Sequence, residues 1–491
     1  MKNLNDKDVQ LRRTKIVATL GPATDEPGVM EGMVRAGLDV ARINFSHGGK
    51  EEQRRRVTAI RAAAQKVGRP VGILADLSGP KIRIESFVNG KIMLAEGQPF
   101  ALDVSLDPTA GNEREVGCAY QDLPKDVKAG DTLLLADGYI VLDVVSVKGP
   151  RIECITKAGG ELSNRKGLNR QGGGLSAPAL TDKDLEYIQL AAEMGVDYLA
   201  VSFARDAADI RRAQSELRKW RGTAHVVAKI ERHEAIDNLS QILTAADAVM
   251  VARGDLGVEM GHAALIGLQK TIIHQSIAAN RLVITATQMM ESMINSPVPT
   301  RAEVSDVANA VLDGSDAVML SAETAAGKYP VKAVQAMSEV ILGAEKYELA
   351  NPRVVRSQGD FSNTEEAIAK AVMYTANRMH VRAIVALTES GLTPLWMSRL
   401  RADMPIYAFT RQVVTQNRVT LFRGVYPVLF DVINIGPSQV NQAVLDLLLE
   451  RRLVDVGDLV ILTKGVMSGV QGGTNSMQIL RALPADAGNS A

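Results

Sequence analysis

The feature that most restricts the fold is a series of short, apolar, β-branched-rich runs separated by stretches with helical spacing. Three come early: KIVATL from Lys15, LDVARI from Leu38 and VGILAD from Val71. Five more follow a long gap: YLAVSF from Tyr198, VVAKI from Val226, AVMVA from Ala248, LVITA from Leu282 and AVMLS from Ala317. Between most of them lie segments such as EEQRRRVTAIRAAAQKVG and HAALIGLQKTIIHQSIAAN, whose apolar residues recur every three to four positions. A strand that is apolar along its whole length is covered on both faces, and covered strands joined through helices run parallel. Eight of them predict a closed (β/α)8 TIM barrel built from segments 15–80 and 176–346, preceded by a tail, 1–14.

The gap has a different character. Segment 81–175 carries Asn89-Gly90 and Asp137-Gly138, both hairpin signals, and alternating runs such as KIRIESF, PFALDVS and YIVLDVVSV. This predicts an all-β domain inserted in a barrel loop, placed as a lid over the barrel. A polar stretch, ANPRVVRSQGDFSN, reads as a linker within 347–362. A second α/β pattern then fills 363–485, with helices over 364–378 and 438–452 and strands at AIVALT, IYAFT, YPVLF and LVILT. Residues 486–491 read as a tail.

Composition excludes several classes. A chain of 491 residues is too long for one core, so several domains are expected. Lys+Arg and Asp+Glu number 56 each, a balance that gives no reason to expect nucleic acid or an anionic membrane as partner. Two cysteines, Cys118 and Cys154, support neither a disulfide framework nor a thiolate zinc site. The first residues, MKNLNDKDVQLRR, lack the apolar core of a signal peptide, and no run approaches ~18 apolar residues. A cytoplasmic location is the expectation.

In such barrels chemistry occurs at the C-terminal ends of the strands. The second run ends in Arg42, Asn44, Ser46 and His47, and the third in Asp76, then Lys81 and Arg83. The fourth gives Ser202 and Arg205, the fifth Lys229, Glu231 and Arg232, and the sixth Arg253, Gly254 and Asp255. The seventh gives Thr285, Thr287 and Gln288, the eighth Ser321, Glu323 and Thr324. Carboxylates and cations converging from several strands suit a divalent metal that bridges to a phosphate or carboxylate. In VVAKIER, Lys229 and Glu231 stand two apart and point to the same side of an extended chain. Two readings are open at this stage: a salt bridge closing a strand end, or a metal-holding carboxylate beside an ammonium that faces a developing anion.

Absent motifs narrow the chemistry. The chain has no G-x-x-x-x-G-K-[ST], no strand-linked G-x-G-x-x-G, no H-E-x-x-H and no G-x-S-x-G. Six scattered histidines argue against a histidine-built transition-metal site, and hard oxygen ligands point to magnesium or manganese. Arg42, Lys229, Arg83 and Lys166 supply positive charge for a multiply anionic substrate. Phosphoryl transfer, which needs positioning and charge neutralisation rather than a protein nucleophile, fits that inventory.

Long stretches carry a resemblance: TKIVATLGPAT, ARINFSHG, ILADLSGPKIR, KIERHEAI, MVARGDLGVE, TATQMMESM, PTRAEVSDVANAVLDGSDAVMLSAETAAGKYP and LTESGLTP. From Thr14 to about Leu483 the chain resembles the pyruvate kinases. The resemblance implies a catalytic barrel, a β lid, a C-terminal regulatory domain and a homotetramer. The implied reaction takes phosphoenolpyruvate and ADP to ATP and pyruvate. By the same resemblance Glu231 and Asp255 match magnesium ligands, Lys229 the group that stabilises the phosphoryl in flight, and Arg42 the arginine gripping it. Gly254, Asp255 and Thr287 resemble the substrate carboxylate site, and Asn44, His47, Arg83 and Lys166 nucleotide-contacting positions. Ser321 and Glu323 fall near the proton-donating region, where helix capping or hydrogen-bonded support is the other reading. Thr300 to Glu303 reads as a capping box.

One departure stands out. Many family members bind potassium through residues matching Asn44, Ser46, Asp76 and the carbonyl of Leu77, and carry glutamate where this chain has Lys81. The expectation is that the Lys81 ammonium replaces the ion and potassium is not required. In the C-terminal domain, Thr388, Ser390, Gly391 and Thr393 in one loop and Lys464, Gly465 and Ser468 in another match loops that bind a phosphorylated effector. The second loop lacks the tryptophan and arginine that recognise fructose bisphosphate in some members, so a sugar or nucleotide monophosphate is expected. Two competing readings are a metal-dependent aldolase or lyase acting on pyruvate-like acids, and a catalytically silent sensor.

Overall fold

The structure, a computed structural model, describes residues 11–350, 361, 363–400, 403–465 and 473–484. Lys15–Leu20, Val40–Asn44, Gly72–Asp76, Tyr198–Val201, His225–Ile230, Ala248–Ala252, Leu282–Ala286 and Ala317–Leu320 pair side by side, all parallel. The first strand also pairs with the eighth, Lys15 opposite Ala317, so the sheet closes into the expected barrel. Its strands are buried along nearly their whole length because helices cover the outside and side chains fill the inside. One covering helix, Arg301–Asp313, starts at the capping box read in the sequence, with Thr300 and Glu303 exchanging side-chain hydrogen bonds.

The floor of the barrel follows a rule. Asp39, Asp197, Asp247 and Asp316 each stand immediately before an even-numbered barrel strand and accept an N–H from the odd-numbered strand beside it. The donors are Ile16 at 2.8 Å, Ile73 at 2.8 Å, Val226 at 2.8 Å and Val283 at 2.9 Å. The first N–H groups of a parallel barrel have no ladder partner below them, so these carboxylates meet an obligatory demand.

The C-terminal domain sits against this floor. Interior barrel residues such as Val17, Leu74, Tyr198 and Met250 form one apolar cluster with Val372, Ile384, Phe422 and Val425. At Gly72 a Cβ would stand 2.9 Å from the Asn417 carbonyl oxygen and 2.7 Å from Thr420 Oγ1, so the approach requires glycine. The domain's sheet runs in the order Val425–Leu429, Ile406–Thr410, Ala383–Leu387, Leu459–Gly465 and Thr474–Arg481. The last strand is antiparallel and was not anticipated: its polar, half-exposed TNSMQILR carries little strand signal. The helix Pro330–Ala350 continues into the segment read as linker.

The inserted domain is all β: a six-stranded sheet and a two-stranded one, over a core that includes Phe100, Leu102, Leu133, Leu142 and Ile152. Asp137-Gly138 makes its hairpin, with Leu135 opposite Ile140 and left-handed φ values of 51°, 57° and 90° at residues 136, 137 and 138. Asn89-Gly90 makes a turn but no hairpin, because the following strand Lys91–Leu94 pairs with Gly160–Ser163. KIRIESF is no continuous strand either: Arg83, Ile84 and Phe87 bridge singly to Gly167, Cys118 and Gly111, three separate parts of the lid. Among the described residues no helix is long and apolar enough to cross a membrane.

Candidate active site

The second, third and fifth strands bring their tips together through one buried ion network. Asp76 is 1% exposed, and its Oδ2 accepts from Arg42 Nε at 2.7 Å. Thr19, at the head of the first strand, accepts from Arg42 Nη1 at 2.9 Å and fixes the guanidinium. Lys229 Nζ lies 2.9 Å from Glu231 Oε1 and 3.4 Å from Asp76 Oδ1, and donates to Ser202 Oγ at 2.7 Å. Ser202 passes a hydrogen bond on to the Leu77 carbonyl at 2.7 Å. Thus Lys229 and Glu231 do pair, yet the pair stands inside a larger cluster.

Charge within the cluster is unevenly matched. Burial would lower the Lys229 pKa, but Asp76 and Glu231 outweigh it and raise it, so the ammonium keeps its proton. Burial would raise Asp76, but Lys229 and Arg42 hold it below the usual carboxylate range. Glu231 goes the other way: burial pushes its pKa up, and the nearby Asp255 carboxylate adds to the push against Lys229. Its Oε2 accepts the Phe203 N–H at 2.7 Å, from a residue held at a left-handed φ of 54°. Glu231, with its pKa raised, and the nearby Asp255 carboxylate offer hard oxygens that fit a magnesium-type cation completed by substrate and water oxygens. Among the described residues no group of three or more histidine, cysteine or carboxylate side chains forms a self-sufficient metal cage.

Asp255 lies in the first turn of the helix Arg253–Met260. The Gly254 N–H donates to Thr287 Oγ1 at 2.8 Å, bringing the sixth and seventh strand ends together. Lys81 places its ammonium 3.3 Å from Asp255 Oδ1. A cleft runs between lid and barrel, lined by Lys81, Leu168, Asn169, Phe203, Arg232 and Asp255. Asn44 is turned onto its own loop, its Oδ1 accepting the Ser46 N–H at 3.0 Å, and His47 is exposed beside it. Arg83 and Lys166 are exposed and lie on adjoining lid segments; Arg83 Nη1 donates to the Arg165 carbonyl at 2.8 Å. Glu323 is 2% exposed, and its carboxylate accepts from Met290 N at 3.2 Å and Ser321 N at 2.6 Å. It braces the loops after the seventh and eighth strands.

Ser202, Thr19 and Arg253 have structural parts that residue type at a strand end did not reveal. Ser202 and Arg253 stand at strand ends in the sequence, but a serine or arginine there has no distinctive pattern until its partners are known.

In the C-terminal domain, Thr388 Oγ1 accepts the Gly391 N–H at 2.9 Å, and Ser390 Oγ accepts the Leu392 N–H at 3.4 Å. Thr393 and Thr474 hydroxyls meet at 2.8 Å, which joins the two expected effector loops. Lys464 Nζ donates to Asn441 Oδ1 at 2.7 Å, and Gly465 closes that strand; Ser468 lies outside the described residues.

Comparison with known proteins gives the family. Residues 11–334 match the family model for the pyruvate kinase barrel domain, and residues 366–480 match that for the pyruvate kinase alpha/beta domain. The chain is similar to pyruvate kinase II of Salmonella typhimurium, 51% identical over 96% of this chain and 99% of that one. It is also similar to the pyruvate kinase of Thermotoga maritima, 40% identical over 96% of this chain and 100% of that one. A crystal structure of a pyruvate kinase from Cryptosporidium parvum superposes with a TM-score of 0.89 at 34% identity, covering 96% of both chains. The chain therefore belongs to the pyruvate kinase family and is a phosphotransferase.

Proposed function

We propose that the chain transfers the phosphoryl group of phosphoenolpyruvate to ADP, with magnesium, and that protonation of the enolpyruvate left behind gives pyruvate, the last step of glycolysis. The observation that carries this reading is the buried Lys229 ammonium, 2.9 Å from Glu231 and 3.4 Å from Asp76, beside a Glu231 carboxylate whose pKa burial and Asp255 push up. Glu231 and Asp255 would hold magnesium, or manganese in its place. When bound, the cation neutralises phosphate oxygens and orients them.

The remaining groups have separable tasks. Lys229 faces the transferring phosphoryl as a compact point charge, kept cationic by its two carboxylate neighbours. Arg42, pinned by Asp76 and Thr19, presents the rest of its guanidinium to the phosphate oxygens. The Thr287 hydroxyl, whose oxygen accepts the Gly254 N–H and whose proton rests on the Ala286 carbonyl at 2.7 Å, turns that proton to the substrate carboxylate, with Gly254 beside it at the start of a helix. Asn44, His47, Arg83 and Lys166 contact the nucleotide, and lid closure carries the last two over its phosphates while excluding water. Ser321 lies in the proton-donating region, whereas the backbone contacts of Glu323 favour bracing. A coupled assay should form pyruvate only with phosphoenolpyruvate, ADP and a divalent cation together. ADP-independent product formation would sink the reading.

Lys81 substitutes for potassium in this reading. Its ammonium meets Asp255 at 3.3 Å, and a monovalent cation bound about 4 Å from that ammonium would face about 4 kcal/mol of repulsion at an effective dielectric of about 20. Turnover should persist in sodium-only or tetramethylammonium buffer, and Lys81→Glu should create a potassium requirement. The loop from Thr388 to Thr393 opens a helix, Leu392–Arg399, and offers hydroxyls and amides to a phosphorylated metabolite that regulates the enzyme. Activity titrated with sugar and nucleotide monophosphates tests that. The assembly is a homotetramer in the cytoplasm, and light scattering on a sizing column checks its mass.

A further inference from the structure

We infer that Arg253 is a positioning residue for the substrate carboxylate site: its guanidinium holds the Thr287–Gln288 backbone in the turn that sets the Thr287 hydroxyl against the Gly254 amide. This rests on the reading of Gly254 and Thr287 as the carboxylate receptor and names what keeps that receptor in shape.

The turn needs holding. Thr287 and Gln288 have φ values of 68° and 54°, two successive non-glycine residues in the left-handed region. For a β-branched threonine this conformation is an outlier, and it persists only where the surroundings over-determine it. The needed constraint comes from Arg253, which is 5% exposed. Its Nε and Nη2 donate to the Thr287 carbonyl at 3.3 and 2.8 Å, and Nη2 also reaches the Gln288 carbonyl at 3.3 Å. Both strained residues thus give their carbonyls to one planar fork.

Its charge is spent elsewhere. Asp306 Oδ1 lies 2.6 Å from Nη1, so the guanidinium is neutralised on its far side and acts through directed hydrogen bonds. Arg253 is also the first residue of the helix whose next two residues are Gly254 and Asp255. One side chain therefore locks the helix start to the end of the seventh strand, fixing amide and hydroxyl relative to each other. Lysine cannot reproduce this, because a single ammonium does not span two carbonyls and a carboxylate with fixed fork geometry.

The test uses the full-length enzyme. In Arg253→Lys, the KM for phosphoenolpyruvate and the inhibition constant of pyruvate should each rise about tenfold. The KM for ADP and kcat should stay within about twofold, the pattern of lost uniform binding at one subsite. Glycine adopts left-handed φ freely, so adding Gln288→Gly to Arg253→Lys should recover much of the phosphoenolpyruvate affinity, which a purely structural role would not do. Thr287→Ala is the control. If it raises the phosphoenolpyruvate KM while Arg253→Lys does not, the clamp is wrong and the carboxylate site stands. If Thr287→Ala leaves that KM unchanged, the site reading falls and the inference with it. Equal rises in both substrate KM values, or no rescue by Gln288→Gly, also overturn the clamp. Should Arg253→Lys not fold, Arg253→Gln, with one amide donor left for the Thr287 carbonyl, carries the same comparisons.

Discussion

At the floor of the barrel Asp39, Asp197, Asp247 and Asp316 each answer one N–H of the neighbouring strand, whereas at its rim Asp76, Glu231 and Asp255 share two lysines and an arginine. The same strands thus bury charge at both ends, under different terms. Below, cations are added one carboxylate at a time: Asp39 has Arg12 at 2.7 Å and Arg69 at 2.6 Å, and Asp316 has Arg399, which forks onto both its oxygens. Above, Asp76 is claimed by both Arg42 and Lys229, while Glu231 is left with its pKa raised. A buried charge with its own partner holds strands in register. A buried charge in surplus is unfavourable alone, and a cationic or anionic ligand relieves it. The floor is therefore built for stability and the rim for binding, although the residue types are the same.

The sharpest way to break this contrast is to remove one group from each end. Lys229→Met at the rim should cut kcat by roughly 10³-fold or more, the scale for losing a preorganised charge at a transferring group, while the unfolding midpoint falls less than for the floor variant, because Arg42 still pairs Asp76 and the raised pKa of Glu231 lets it take up a proton. Asp316→Ala at the floor should do the reverse. It strands the Arg399 guanidinium, which is 5% exposed, and leaves the Val283 N–H unmet. A loss of about 3–5 kcal/mol is expected for a broken buried pair. Urea unfolding and amide exchange at Val283 measure it, and the folded fraction should keep its kcat. A rim variant that unfolds the barrel, or a floor variant that silences a folded one, would erase the distinction.

Within the floor, pH separates two aspartates of similar geometry. Burial works against the charge of Asp39, but Arg12 and Arg69 outweigh it and lower its pKa, so its contribution is present at neutral pH and lost as pH falls through that lowered value. Asp197 has no ion pair among the described residues, and burial outweighs the more distant Arg61 and Arg418 to raise it from 3.8 to about 7. Its raised pKa contributes stability that is complete below about pH 4 and lost as pH rises through about 7. Asp197→Asn keeps an acceptor for the Ile73 N–H and removes that titration. The variant should flatten the decline between pH 4 and 7 and be the more stable form at pH 8, by on the order of 2–4 kcal/mol. Unfolding midpoints across that range decide it: an unchanged slope would mean that Asp197 is already ionised in the fold.

How far the sequence revealed each end follows from the kind of signal involved. The barrel strands were legible because burial on both faces forces continuous apolar runs, and the rim because unlike charges gather where those runs stop. The aspartate caps were not. Asp39 and Ile16, or Asp316 and Val283, are separated by 23 and 33 positions, and no local pattern records such a bond. Arg253 was visible as a strand-end residue, but its clamp depends on the left-handed turn at Thr287 and Gln288, where neither residue type announces positive φ. Lys81 was read from its position as a potassium substitute, yet which carboxylate it meets depends on where the lid returns to the barrel. The edge strand Thr474–Arg481 escaped because one face and one edge are open, so alternation is weak.

The smallest expected effect tests whether the helix behind the rim belongs with the stabilising parts or the binding parts. Arg301–Asp313 carries Asp306, the counter-charge of Arg253, and it begins at the Thr300–Glu303 capping box. Thr300→Ala removes a side-chain acceptor from the Glu303 N–H and should cost about 1 kcal/mol. Glu303 has further anchors: it accepts the Ser292 N–H at 2.7 Å and the Ser292 hydroxyl at 2.6 Å. Those bonds should keep the helix start in place, and with it the Asp306 carboxylate, so the KM for phosphoenolpyruvate should not move. If instead affinity falls while stability hardly changes, the cap is coupled through Asp306 and Arg253 to the Thr287 turn. The boundary between scaffold and site would then run behind this helix rather than in front of it.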